Sequence, residues 1–266
     1  MKQSVYIVGD IHGCYRTMVN LIDKIELHAK ANNIVDPELV FVGDYIDRGP
    51  NSRMVLIQVR DMVNKELMYG FSKVTALMGN HEDLLVESYS NKYAQETWMM
   101  NGGVAALESF NDTGKSLTDF MLDNNSNIVR MVGVELYNWV RELPRYYEIG
   151  AVAIAHAGID DAFELAENHD PEALIWSRRL RKHAHNHYRF TVHGHTPMDE
   201  PFINENVAYI DTGAVFGRPY SDPRVLTALF IPDVNNPVHT DMEFITEVSE
   251  MSKGDDEWSA STKLRV

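Results

Sequence analysis

Cysteine, long apolar runs and positive charge are all scarce in this chain. The single cysteine, Cys14, cannot form a disulfide within the chain, which is typical of a reducing compartment. No apolar run approaches the roughly 20 residues that a membrane-spanning helix needs. The start, Met1–Gln3, leads directly into a predicted strand and leaves no room for a signal peptide. We therefore expect a cytoplasmic protein.

The charge balance excludes two further kinds of partner. The chain has 39 Asp and Glu against 24 Lys and Arg, which gives a formal net charge of −15. Nucleic acids and anionic membranes both require basic surface on the protein that binds them, so we expect neither as a partner. The sequence carries no signal for the oligomeric state.

The length is sufficient for one large domain. With 266 residues the chain can bury a full hydrophobic core, and we predict a single domain over residues 1–247. An inserted segment around 91–130, with helices or loops, interrupts it. Residues 248–266 are rich in Ser and acidic residues, which predicts a polar, flexible tail.

The first half of the chain alternates strands with helices. The hydrophobic pattern predicts strands over residues 4–9, 39–43 and 72–79. Each strand is followed by a predicted helix, over 14–29, 52–68 and around 84–86. This order is typical of a largely parallel sheet with right-handed crossovers.

The second half is richer in strands. We predict helices over 131–142, 162–168 and 171–180, and strands over 146–150, 152–155, 190–193, 207–210 and 225–231. Closely spaced strands after a strand–helix half indicate a second sheet packed on the first.

Five of the predicted strands end in Asp, Asn or His beside glycine. The segments that follow them are Gly9–Gly13, Gly43–Gly49, Gly79–Glu82, His156–Gly158 and His193–Pro197. Ligands of open α/β sheets bind where the carboxyl ends of the strands meet. The repeated ending therefore predicts one polar site built from several strands.

The residue types at these strand ends are those of a metal site. Asp10 and His12 are two positions apart and point the same way in an extended segment, and Asp44 can offer one oxygen to each of two ions. The six candidate ligands are Asp10, His12, Asp44, Asn80, His156 and His195. Oxygen and imidazole ligands without thiolate favour Mn²⁺, with Fe, Zn²⁺ and Ni²⁺ as alternatives, over Ca²⁺. Two ions about 3.5–4 Å apart are a standard device for phosphoester hydrolysis.

Three of these segments resemble known signature motifs. Gly9–Gly13 (GDIHG), Gly43–Gly49 (GDYIDRG) and Gly79–Glu82 (GNHE) resemble, in order, the motifs of the phosphoprotein phosphatase family of Ser/Thr phosphatases. His156 and His195 match the downstream histidines of its short bacterial and bacteriophage-type members. The resemblance covers about residues 4–216. It implies an α/β (mixed α+β) calcineurin-like metallophosphoesterase fold with two packed mixed sheets flanked by helices.

The resemblance also implies roles for individual residues. Asp10, His12 and Asp44 resemble the ligands of a first divalent ion, and Asp44, Asn80, His156 and His195 those of a second. His81, oriented by Asp47, resembles the general acid. Arg48 and Arg178 resemble the phosphate-binding arginines, with the adjacent Arg179 as an open alternative to Arg178. A metal-bridging hydroxide would then attack phosphorus in line.

Three functions fit this pattern. The first is a phosphomonoester hydrolase that acts on phosphorylated Ser or Thr in proteins or peptides. The second is a hydrolase of diadenosine tetraphosphate or a similar nucleotide; such relatives typically carry a small residue in place of Asp47 and Asp in place of Glu82, which favours the first function. The third is a non-catalytic phosphopeptide-binding module, which the presence of every candidate ligand and of His81 disfavours.

Overall fold

The described part of the chain contains two five-stranded mixed β-sheets. The computed structural model describes residues 2–65, 69–111, 126–159, 170–178, 190–219 and 221–253. The strands are β1 (Val5–Val8), β2 (Glu38–Phe41), β3 (Lys73–Ala76), β4 (Tyr146–Ile149), β5 (Val152–Ala155), β6 (Phe190–His193), β7 (Phe202–Ile203), β8 (Val207–Tyr209), β9 (Val225–Ile231) and β10 (Glu243–Val248).

The first sheet has the order β10-β9-β1-β2-β3. Strands β1, β2 and β3 are parallel, as their alternation with helices predicts, whereas β9 and β10 join β1 in antiparallel pairing. The second sheet has the order β4-β5-β6-β8-β7, in which β5, β6 and β8 are parallel. The parallel strands are central in the second sheet and extend to the edge strand β3 in the first. In each sheet they are neighbours, so their carboxyl ends lie side by side.

Helices cover the outer faces of the sheets. They are α1 (Tyr15–Ala31), α2 (Ser52–Val63), α3 (Asn80–Ser88), α4 (Lys92–Trp98), α5 (Val104–Phe110), α6 (Ser126–Val132), α7 (Val134–Arg141) and α8 (Pro171–Trp176). A five-residue π-helical turn, Met99–Gly103, joins α4 to α5. Side chains from α1 and α2 pack on one face of the first sheet, and α8 packs on the second sheet.

The two sheets pack against each other through a second core. Alternate residues of β1 face opposite sides, because successive side chains of a strand point to opposite faces. Tyr6 and Val8 face the helices. Val5 and Ile7 face the second sheet, where they pack in one core with Ile154 of β5. The predicted architecture of two packed mixed sheets is therefore confirmed.

The helix after the inserted segment differs from the prediction. Residues 131–142 were predicted as one helix, but Gly133 adopts a φ of 92° and separates α6 from α7. This left-handed backbone is accessible to glycine at little cost and cannot continue a helix. The helix predicted over 52–68 ends at Val63. Strands β7 and β10 were not predicted; the first has two residues, and the second is a partly exposed edge strand.

Some predictions lie outside the described residues. These are the helix over 162–168 and residues 179–180 of the helix predicted over 171–180. The latter helix is shorter than predicted: it ends at Trp176, because Ser177 has an extended backbone. The flexible tail was predicted to begin at 248, but residues 249–252 are packed. Buried Glu250 accepts hydrogen bonds from the backbone N–H groups of Arg16 (2.9 Å) and Thr17 (3.3 Å) in the first turn of α1. Residues 254–266 lie outside the described part.

Within the described part of the chain, no helix is both long enough and apolar enough to cross a membrane.

Candidate active site

The six predicted metal ligands lie together between the two sheets. Asp10 and His12 follow β1, Asp44 follows β2, and Asn80 begins α3 directly after the β3 segment. From the second sheet, His156 follows β5 and His195 follows β6. Each of the six is at most 5% exposed. The strand-end pattern therefore gathers the candidate ligands as predicted.

Asp44 lies at the centre of this cluster. Its Oδ2 is 3.4 Å from Nε2 of His12 and 3.4 Å from Nε2 of His156. Two sets of donor atoms lie within 4.8 Å of one another: one from His12, Asp44 and His81, the other from Asp44, His156 and His195. Asp44 is common to both sets, which is the position of a bridging ligand.

The tautomers of two histidines leave their Nε2 lone pairs directed into the site. The Nδ1 of His12 is 2.7 Å from the carbonyl of Ile46, and the Nδ1 of His156 is 3.1 Å from the carbonyl of Val42. A carbonyl only accepts, so each Nδ1 carries the hydrogen. Second-shell bonds of this kind fix the ring of a metal-binding histidine. Imidazole and carboxylate lone pairs thus converge, and this donor set fits divalent cations.

The second set is completed by Asn80. Its Oδ1 lies 3.0 Å from Nε2 of His156 and 2.8 Å from Nδ1 of His195. The Nε2 of His195 is buried without a hydrogen-bond partner. Burial, together with the neighbouring His156, lowers the pKa of His195 to about 3. The imidazole ring is therefore neutral at physiological pH and can offer a nitrogen lone pair to a cation.

The carboxylate of Asp10 lies beside the backbone of His195. Its carboxylate accepts a hydrogen bond of 3.0 Å from the backbone N–H of His195, and it does not fall within the donor set around His12. The predicted place of Asp10 among the ligands of the first ion stays a prediction.

A further buried acid at the site, Asp211, was not predicted from the sequence. Asp211 follows β8 in the segment Asp211-Thr212-Gly213, so the strand-end rule could have found it. Burial and the nearby carboxylate of Asp44 raise the pKa of Asp211 to about 6. Burial, with Asp211 and Asp44, also raises the pKa of Asp10. Such a concentration of buried carboxylates needs compensating cations.

Glu82 braces the loop that carries Asp44. Its Oε2 accepts the backbone N–H groups of Asp44 (2.8 Å) and Gly79 (3.0 Å), and its Oε1 accepts that of Tyr45 (2.8 Å). These hydrogen bonds stabilise an unusual backbone, because Asp44 has a φ of 54°, in the left-handed region that non-glycine residues rarely occupy. Glu82 therefore shapes the site without facing a ligand.

His81 is held between a carboxylate and a guanidinium. Its Nδ1 is 2.6 Å from Oδ2 of Asp47, and its Nε2 lies 2.9 Å from the guanidinium Nη2 of Arg48. Burial disfavours a charged His81, but Asp44 and Asp47 outweigh this effect and raise its pKa. The predicted pairing of His81 with Asp47 is present, and a His81 of raised pKa suits a proton donor.

Arg48 and Arg178 occupy different parts of the site. Arg48 also donates to Nε2 of His12 at 2.7 Å, beside its contact with His81. Arg178 is exposed at the end of α8, and its charge contributes to the lowered pKa of His195 after burial and His156. Arg179 lies outside the described residues, so the choice of Arg178 over Arg179 stays a prediction.

We expect lysine at position 178 to lower activity although the charge is kept. A guanidinium can grip a phosphate through two parallel hydrogen bonds, a geometry that an ammonium group cannot copy. The kcat/KM of Arg178→Lys should fall roughly tenfold or more, and that of the matched control Arg179→Lys should stay near wild type. Steady-state kinetics on both variants checks this; the reverse ranking would show that Arg179 is the phosphate ligand.

The fold and the site together define a metal-dependent phosphoesterase. The model of the calcineurin-like phosphoesterase family matches residues 4–215. The chain belongs to this family.

Curated relatives cover nearly the whole chain. A bis(5'-nucleosyl)-tetraphosphatase PrpE [asymmetrical] from Anoxybacillus flavithermus is 29% identical over 91% of this chain and 96% of its own length. One of the same description from Halalkalibacterium halodurans is 30% identical over 86% and 90%. Serine/threonine-protein phosphatase 1 from Salmonella typhimurium is 30% identical over 83% and 91%.

Solved structures share the fold at low sequence identity. A protein serine/threonine phosphatase from Saccharomyces cerevisiae has a TM-score of 0.55 at 14% identity, covering 96% of this chain and 82% of its own. A cold-active protein-tyrosine phosphatase from a Shewanella species has a TM-score of 0.53 at 15% identity, covering 92% and 81%. At these identities the likeness establishes the architecture alone.

Proposed function

We propose that the protein is a hydrolase of dinucleoside tetraphosphates that cuts the phosphate chain asymmetrically. Water would be added across one phosphoanhydride bond, giving a nucleoside triphosphate and a nucleoside monophosphate. The observation that carries this proposal is the end-to-end similarity to bis(5'-nucleosyl)-tetraphosphatases, which reaches 91% of this chain and 96% of the relative.

Two sequence features, Asp47 and Glu82, disfavour this substrate, and the structure gives one of them, Glu82, a different explanation. From the sequence, Glu82 favours a protein phosphatase, because nucleotide hydrolases of this kind typically carry Asp there. In the structure Glu82 accepts backbone N–H groups of Asp44, Tyr45 and Gly79. Glu82 therefore has a structural role in holding this loop, which weakens its use as evidence about the leaving group.

Two partly exposed aromatic rings beside the site suit a substrate with two bases. Phe216 is 45% exposed, and its ring centroid lies 5.2 Å from Cζ of Arg48. Trp176 is 36% exposed, and its ring lies edge-on to His195 with 6.4 Å between the centroids. Rings beside phosphate-binding groups can stack on nucleobases, a contact worth about 1–3 kcal/mol per base.

The residues divide the chemistry as follows. Asp44 and the ligands around it would hold two divalent cations, which when bound activate water and neutralise charge on the phosphates. Arg48 would bind the phosphate group under attack. His81 would hold a proton beside the leaving oxygen, and Asp47 would fix the orientation of the imidazole ring.

A second candidate is a protein Ser/Thr phosphatase. The His81–Asp47 pair favours it, because a serine or threonine alkoxide needs a proton as it leaves, whereas a phosphate leaving group is already a stable anion. The similarity to the phosphatase from Salmonella typhimurium, at 30% identity, supports the same candidate.

One assay separates the two candidates. Metal-stripped protein would be reloaded with Mn²⁺, Fe²⁺, Zn²⁺ or Ni²⁺ and given diadenosine tetraphosphate, a phosphoserine peptide or p-nitrophenyl phosphate. We expect the highest kcat/KM on the dinucleotide, with ATP and AMP as products by chromatography. A higher kcat/KM on the phosphopeptide would favour the phosphatase and overturn the proposal, and two ADP as the products would overturn asymmetric cleavage.

The aromatic rings give a further prediction. Replacing Phe216 or Trp176 by alanine should raise KM for diadenosine tetraphosphate about tenfold, since one stacked base is worth about 1–3 kcal/mol. The KM for p-nitrophenyl phosphate should stay within about twofold, because it has no base. Tyr93→Ala, which removes an exposed ring outside the site (82% exposed), is the matched control. Equal changes on both substrates would contradict a base-stacking role.

A further inference from the structure

We infer that Trp98 is a positioning residue for the His81–Asp47 pair, and that the turn after it, Met99–Gly103, positions Arg48. The inserted segment thus orders two groups of the active site. The inference rests on the assignment of His81 as the proton donor, but it does not depend on which phosphate substrate the protein uses.

The indole of Trp98 binds the carboxylate that orients His81. Its Nε1–H lies 2.9 Å from both Oδ1 and Oδ2 of Asp47, and Oδ2 is in turn 2.6 Å from Nδ1 of His81. Trp98 and Asp47 are both 0% exposed, so the indole cannot touch substrate. A buried carboxylate without enough donors is unstable and free to rotate. Trp98 therefore acts on the reaction through Asp47.

The backbone at Asp47 and Arg48 needs support from outside its own loop. Their φ angles are 75° and 66°, a left-handed conformation that persists in non-glycine residues only when the surroundings impose it. The backbone N–H of Arg48 donates to the carbonyl of Gly102 at 3.2 Å, and that of Asp47 donates to Oγ of Ser52 at 3.0 Å. One of these two supports comes from the inserted segment.

The glycines of the turn allow this close approach. Gly102 has a φ of 111°, and a Cβ built there would lie 2.7 Å from Cγ of Arg48. A Cβ on Gly103 would lie 2.8 Å from the indole ring of Trp98. A side chain at either position would push the turn away from Arg48 or from Trp98. The two glycines therefore allow the turn to pack closely against both Arg48 and Trp98.

A double-mutant cycle on Trp98 and Asp47 tests the inference. Trp98→Phe keeps an aromatic ring but removes the N–H, so His81 should donate its proton less well. We expect kcat to fall about tenfold on phenyl phosphate, whose leaving group is basic, and less than about threefold on p-nitrophenyl phosphate, with KM unchanged. In the Asp47→Ala background the same change should cost less than about twofold, because its partner is gone.

The controls separate positioning from general damage. Trp139, which packs partly buried against the same core, provides Trp139→Phe, which should leave both rates unchanged. Gly102→Ala should lower activity through Arg48 and should raise KM. If Trp98→Phe slows both aryl phosphates equally, or has its full effect in the Asp47→Ala background, Trp98 is only a packing residue and the inference fails.

A measurement without activity keeps the inference testable if the aryl phosphates are poor substrates. The chain has four tryptophans, so ¹⁵N labelling gives four indole N–H signals, and Trp98→Phe identifies one of them. That signal should move strongly in Asp47→Asn and stay in place in Asp61→Asn, a surface control. An unmoved signal would show that the bond is absent and would overturn the inference, whatever the substrate proves to be.

Discussion

Asp44→Asn should reduce hydrolysis by about 10³-fold or more on every substrate. Asp44 is the residue common to both donor sets, 3.4 Å from the ligand nitrogens of His12 and His156. The neutral amide removes a negative charge that both cations would share, and metal ions supply several kcal/mol of transition-state stabilisation. Elemental analysis of the purified variant should find less metal at both sites.

Two variants calibrate this result. His195→Ala should deplete only one of the two ions, because His195 belongs to a single donor set. Asp61→Asn, which removes a carboxylate paired with Arg60 far along α2, should leave activity and metal content unchanged. Two full equivalents of metal in Asp44→Asn protein would show that Asp44 does not bridge.

His81→Asn should slow the hydrolysis of poor leaving groups by about 10²–10⁴-fold, the usual contribution of general acid catalysis. A phosphoserine peptide releases an alkoxide that must be protonated, whereas p-nitrophenyl phosphate releases a stable phenolate. Asparagine keeps a polar side chain but has no transferable proton. The loss on the peptide should therefore be much larger than the loss on the aryl phosphate, with both ions still bound.

The same variant bears on the choice of substrate. A nucleotide leaving group is a stable anion, so a dinucleotide hydrolase should lose less activity on diadenosine tetraphosphate than on the peptide. Asp47→Asn should show the same ordering more weakly, because His81 keeps its proton but loses its orienting carboxylate. Equal losses on all substrates, with metal content intact, would make His81 a positioning residue rather than a proton donor.

The sequence by itself determined the parallel strands, the packing of two sheets and the six polar residues that gather at the strand ends. These features are local: a strand buried on both faces shows as a short apolar run, and the polar residue that follows it is fixed at its carboxyl end. Asp211 obeyed the same rule. Its position after β8 is not among the five strand ends that the pattern singles out.

Tertiary structure decided which side chains support the ligands. Trp98 meets Asp47 across 51 positions, Glu82 meets Tyr45 across 37, and Glu250 reaches the start of α1 across 234. Hydrophobic periodicity in the sequence cannot predict these contacts, because each depends on how two elements far apart in the chain pack against each other. Left-handed backbone at Asp44, Asp47 and Arg48 is likewise invisible to propensity, since it is imposed by hydrogen bonds from distant parts of the chain. The strand ends bring the chemical groups together, and these long-range contacts hold them in the orientation that catalysis requires.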